Sequence, residues 1–298
     1  MSSTISRAPA RPRFLPPWRD RAGRFSTLKA MVLAGTMLPA ILILYWWIAG
    51  DLGPRTLNAA THETGKWAVR FLLITLAVTP ARSVFDQGKV VILRRMLGVA
   101  TATYALAHFS LFIVDQQFSP WKVAVEITQR FYLTIGFVAL LGLVALVATS
   151  TDASVRRLGR HWKRLHWLIY PIGVLALFHH FLQAKAGVSA ALFAAGVFLW
   201  LMFWRLLPIR FRANPWAILI LAPAACAMTA LLEFAWYGLA TRLNPWRILA
   251  ANLDIEYGLS TALWVGVAGV AVVVAMGVSR LAGRKWQGRP FSSIRARA

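Results

Sequence analysis

The reading turns on WKRLHWLIYPIGVLALFHHFLQAK, residues 162 to 185. Arg160, Lys163 and Arg164 open a run of about twenty largely apolar residues, long enough to cross a bilayer core of roughly 30 Å. His166 stands near one end of the run and the pair His179, His180 near the other. Imidazole in hydrocarbon is costly without a partner, so three histidines on one spanning helix point to a metal or a haem iron.

The rest of the chain sets the class. With 58% hydrophobic residues, 14 Trp and a mean hydropathy of +0.59, 298 residues are too apolar for an ordinary soluble domain. The expected architecture is an all-α polytopic membrane protein. The net charge of +23 comes from 33 Lys and Arg against 10 Asp and Glu. These cations fall in short runs between apolar stretches, where the positive-inside rule accounts for them and a nucleic-acid partner is not required. Cys226 is the single cysteine, which excludes an intrachain disulfide and CxxCH attachment of c-type haem. Any haem is held noncovalently.

Apolar windows fall at 28–49, 66–81, 95–114, 131–149, 163–184, 188–207, 216–239 and 260–282. The second is short and is expected to end at Thr79-Pro80. Residues 1–29, rich in Arg and Pro, read as a disordered basic tail and 286–298 as a second basic tail. The first apolar run ends in Tyr45, Trp46 and Trp47, an interfacial aromatic group, and reads as an uncleaved helix. Eight spans put both termini on one side. The tails and the 82–95, 156–164 and 205–212 loops hold 25 Lys and Arg, and the other four loops hold 7. That asymmetry predicts cytoplasmic termini. Lys66 and Arg70 read as interfacial anchors that snorkel outward.

Orientation turns position into depth. The third window runs outward from Arg94 and Arg95, so His108 lies in its outer half, level with His179 and His180 at the outer end of the fifth. Two imidazoles at one level on separate helices suit the axial positions of a b-type haem. His166 lies near the inner face, roughly 20 Å from His179 at 1.5 Å per residue, a separation that fits a second haem. The third window offers Arg95, not histidine, opposite it. Helical rotation favours His180 over His179 as partner to His166, but Pro171 between them can kink the helix.

Four segments carry a family resemblance: RRMLGVATATYALAHF (94–109), RFYLTIGF (130–137), TSTDASVRRLGRHWKRLHWLIY (149–170) and LALFHHF (175–181). HETGKWA (62–68) and ITLAVTPAR (74–82) agree with it. Together they resemble the MsrQ family, haem-binding membrane subunits of bacterial methionine sulfoxide reductase systems within the ferric-reductase-like transmembrane group. The resemblance spans about residues 30 to 205. It implies a six-helix haem bundle, here 30–207; the chain departs from the family pattern beyond it, where 208–285 reads as an extension of two further transmembrane helices. It also implies a multi-pass protein of the bacterial inner membrane, haem b (one or two), FMN, and electron flow from quinone to a periplasmic molybdenum-containing methionine sulfoxide reductase subunit. Carried over by position, its haem-iron histidines are His108, His166 and His179, which sets His179 ahead of His180; His62 matches a family histidine in the outer loop.

Other classes find less in the chain. No GxGxxG, P-loop or HExxH pattern is present, so hydride transfer from NAD(P)H by this chain alone is not expected. A haem reductase with another acceptor such as ferric iron shares every feature above. A transporter would show paired interrupted helices and inverted repeats, and a structural subunit would use its histidines only for packing.

Overall fold

The computed structural model describes residues 16–20, 22–184, 187–256 and 258–287, with side chains to 282. The expected tails at 1–29 and 286–298 therefore fall outside it at 1–15, Arg21 and from 288 onward, as does Lys185. Among the described residues the chain is helical, with one isolated bridge between Arg19 and Phe25. In order the α-helices are α1 (Thr27–Ala49), α2 (Thr56–Phe85), α3 (Leu93–Asp115), α4 (Pro120–Gln129), α5 (Phe131–Ala148) and α6 (Asp152–Leu158). They continue with α7 (Arg160–His166), α8 (Ile169–Gln183), α9 (Ser189–Leu206), α10 (Pro215–Ala240), α11 (Pro245–Ala251) and α12 (Thr261–Gln287). Among the described residues, eight segments are long and apolar enough to cross a bilayer: α1, α2, α3 with its preceding turn, α5, α7 with α8, α9, α10 and α12. The protein is an all-α polytopic membrane protein.

Local chemistry sets the ends. Ser119, Asn214 and Asn244 stand before Pro120, Pro215 and Pro245, so an oxygen cap is followed by a residue with no N–H to satisfy. Gly50 closes α1 at φ 81°, a left-handed cap that glycine adopts without strain. Inside the spans, buried Thr64, Thr75, Thr101 and Thr229 each donate to the carbonyl four residues back, which leaves no hydroxyl stranded in apolar surroundings.

Three elements differ from the expectation. The second span does not stop at Pro80; α2 continues to Phe85. Proline removes the N–H that would bond the Leu76 carbonyl, and Arg205 Nη2 from α9 donates to that carbonyl at 2.6 Å instead. The same guanidinium donates to Tyr170 Oη and the Leu201 carbonyl, so α2, α8 and α9 are tied at one point. The fifth span is broken between α7 and α8 at Trp167 and Leu168, just before Pro171, so rotation is not carried from His166 to His179. The segment read as an outer loop contains α4, held to α5 by Thr134 Oγ1 donating to the Ile127 carbonyl.

Packing places one closed ring at the centre. α2 lies on α3, α3 on α5, α5 on α8 and α8 on α2. Outside it, α1 covers α2 and α3, α9 packs on α2 and α8, and α10 and α12 pack on each other and on α9. Lipid tails are as apolar as leucine, so these helices associate through close packing rather than the hydrophobic effect. Gly196 shows how close: a Cβ there would stand 2.5 Å from both Thr229 Oγ1 and Val265 Cγ2.

Candidate functional site

The ring of α2, α3, α5 and α8 encloses a cavity of about 900 Å³ at one end of the bundle. That is within the roughly 300–1,000 Å³ of small-molecule and cofactor sites. His62, His108, His179 and His180 all border it. Its deeper wall is Leu72, Thr101, Leu140 and Leu143; charged Glu63, Lys66, Glu126 and Arg130 also line it. Lys66 pairs with Glu63 at 2.6 Å and Arg130 with Glu126 at 2.7 Å, which holds both cations in place.

His108 on α3 and His179 on α8 face each other across this space. Their ring centres are 6.2 Å apart and their planes are 77° from parallel. His108 Nδ1 donates to the Thr61 carbonyl on α2 at 2.7 Å, and His179 Nδ1 donates to the Tyr132 carbonyl on α5 at 2.7 Å. A carbonyl only accepts, so both protons sit on Nδ1 and both Nε2 atoms keep a lone pair. An imidazole–metal bond of about 2 Å, with roughly 1 Å more from nitrogen to ring centre, repeated on the other side, spans about 6 Å. The pair therefore fits one iron between two rings. Among the described residues no group of three or more His, Cys, Asp or Glu converges. Two nitrogen donors in a roomy cavity with an apolar deep end and a charged mouth match a macrocycle that supplies the other ligands, as haem does.

The structure separates the remaining histidines. His180 and His62 line the cavity, and His62 stands on α2 rather than in a loop. His166 does not line it. That ring stacks on Trp162 at 3.9 Å, donates Nδ1 to the Trp162 carbonyl at 3.1 Å and has Ser150 Oγ 3.4 Å from Nε2. It is near the basic end of the bundle, where Arg95 pairs with Asp152 at 2.7 Å.

Thr61, Gly65, Tyr132 and Gly136 were not singled out from sequence, although both glycines fall inside quoted motifs, HETGKWA and RFYLTIGF. A Cβ at Gly65 would stand 2.9 Å from His108 Nδ1, and one at Gly136 would stand 2.6 Å from His179 Nδ1. A lone glycine in an apolar span marks close approach, but the partner is visible only once helices are paired.

Fold and site together define a class, and comparison agrees: residues 64–177 match the family model described as ferric reductase like transmembrane component. The protein-methionine-sulfoxide reductase heme-binding subunit MsrQ of Xanthomonas euvesicatoria pv. vesicatoria (strain 85-10) is 40% identical over 184 residues, which is 59% of this chain and 84% of that protein. MsrQ of Rhodospirillum rubrum is 38% identical over 192 residues, 64% and 90% of the respective chains. This chain belongs to the MsrQ family. No solved structure matches it.

Proposed function

We propose that this chain is the haem-binding membrane subunit of a protein-methionine-sulfoxide reductase system. In this reading it carries electrons from quinol in the membrane to a periplasmic, molybdenum-containing catalytic subunit. The observation that carries the proposal is the His108–His179 pair, at iron-bridging distance with both Nε2 lone pairs available. Bound haem b supplies a reversible one-electron iron couple whose potential follows from its axial imidazoles.

The residues do the rest. His108 and His179 would hold the haem iron through their Nε2 atoms. The Thr61 and Tyr132 carbonyls fix each ring's tautomer and raise its basicity, as outer partners do at metal sites generally. Leu72, Leu140 and Leu143 keep water from the deep end. Lys66 and Arg130, each already paired with a glutamate, put N–H donors at the cavity, where carboxylates of a cofactor would take them.

The same proposal assigns the inner membrane, cytoplasmic termini, a bundle over 30–207 and an extension over 208–285. His166, next to the basic 156–164 loop, is in this reading the entry side and the ligand position of a second haem. FMN follows from the family resemblance alone, and flavin fluorescence after acid precipitation of the purified chain checks it.

The test is quinol oxidation by purified chain in proteoliposomes, with and without a soluble molybdenum-containing methionine sulfoxide reductase subunit. Oxidation that depends on that partner and on methionine sulfoxide is expected. Oxidation that needs neither, but runs with ferric iron, would replace this reading with the alternative acceptor.

A further inference from the structure

One constant shift along the chain carries Thr61, Gly65 and His108 onto Tyr132, Gly136 and His179. In both sets the histidine lies 47 residues beyond the carbonyl that accepts its Nδ1 proton. In both, a glycine sits one turn after that carbonyl, where a Cβ would press on the ring. The same shift carries Ala68, Val69, Leu72 and Ala105 onto Ala139, Leu140, Leu143 and Ala176, and all eight line the cavity. Ala105-Leu106 and Ala176-Leu177 also precede the two histidines at the same spacing. Two helix pairs, α2 with α3 and α5 with α8, thus present like walls to one space.

We infer that the cavity is a pseudo-two-fold pair of half-sites, and that Gly65 and Gly136 are equivalent positioning residues, each forming the socket for one axial imidazole. The physical reason is steric and electronic together. A helical carbonyl is already bonded within its own helix, and a side-chain N–H reaches it only if its ring lies in the groove beside the next turn. A Cβ on that turn fills the groove. Glycine therefore sets both the distance to the carbonyl and the direction in which Nε2 points. Glycine is among the least favourable residues inside a helix, and that cost is accepted twice, at equivalent positions.

This rests on the haem reading above, and the experiment separates the two. Gly65→Ala, Gly136→Ala and Gly142→Ala are prepared in the full chain. Gly142 is the control: a Cβ there would stand 2.7 Å from Ile172, as tight a contact on the same helix but against an aliphatic side chain. The low-spin ferric electron paramagnetic resonance signal, the midpoint potential and the haem-to-protein ratio are read for each. Gly65→Ala and Gly136→Ala should both shift the g-values and the potential and lower haem occupancy several-fold, while Gly142→Ala leaves the g-values and potential where they were. Signals from both alanine variants no different from the control would overturn the inference.

A haem-independent arm decides it separately. In chain made without haem, His108→Gly with Gly65→Ala, and His179→Gly with Gly136→Ala, should each lose less accumulation and thermal midpoint than the sum of the two single changes, because removing the ring removes the crowding. Failure of each histidine change to relieve its own glycine partner would also overturn the inference. A wild-type chain that binds no haem would count against the functional reading, and the relief arm would still decide the sockets.

Discussion

At the scale of the residue, the imidazole nitrogen that stays available decides what each histidine can do. His108 and His179 have their Nδ1 protons committed to backbone carbonyls, so each Nε2 keeps the lone pair that the proposed haem would use. His108→Ala and His179→Ala are each expected to lower haem content several-fold by pyridine haemochrome assay, with His180→Ala close to wild type. Loss in His180→Ala with retention in His179→Ala would reverse the assignment. The histidines were legible because imidazole in an apolar run is costly and so conspicuous, and their common level followed from charge asymmetry alone. Gly65 and Gly136 were not legible. Their meaning lies in what approaches from another helix, and one-dimensional spacing does not carry it.

At the scale of the element, Arg205 and Pro80 form one unit. Proline takes a donor from α2, and the guanidinium of α9 supplies another to the same Leu76 carbonyl. Arg205→Leu would strand that carbonyl and unpair Tyr170 Oη, at a cost of about 1–3 kcal/mol for a buried group left without its partner. A lower thermal midpoint in detergent is the expected result. Pro80→Ala in that background returns the N–H and should recover part of the loss; no recovery would show that the bond does not matter. Seven of the eight spans were legible to within a few residues, because their apolar runs match bilayer thickness. The second was started ten residues late, because His62, Glu63 and Lys66 interrupt its apolar run, and it was cut short at Pro80 since the compensating donor lies far along the chain. The break between α7 and α8 was half visible in Pro171.

At the scale of the whole molecule, α2, α3, α5 and α8 form most of the cavity wall; α10 and α12 contribute no lining residue and pack chiefly on α9, although α12 also touches α2. A chain ending at residue 207 is therefore expected to keep haem while melting at a lower temperature, since α9 loses the tight packing at Gly196. Haem lost together with α10 and α12 at full protein accumulation would contradict the placement of the site. The outline was legible from composition and hydropathy; the closed ring of four helices was not, because neighbours in a bundle are chosen by small residues and side-chain hydrogen bonds rather than by apolarity.

The central claim is that two imidazoles from α3 and α8 clamp one iron. Its most direct test is the dithionite-reduced minus oxidised optical spectrum of the purified full-length chain, made in a host with ample haem. The account predicts a low-spin b-type spectrum that is abolished in the His108→Ala, His179→Ala double variant. No b-type absorbance in the wild type, or an unchanged spectrum in the double variant, would contradict it.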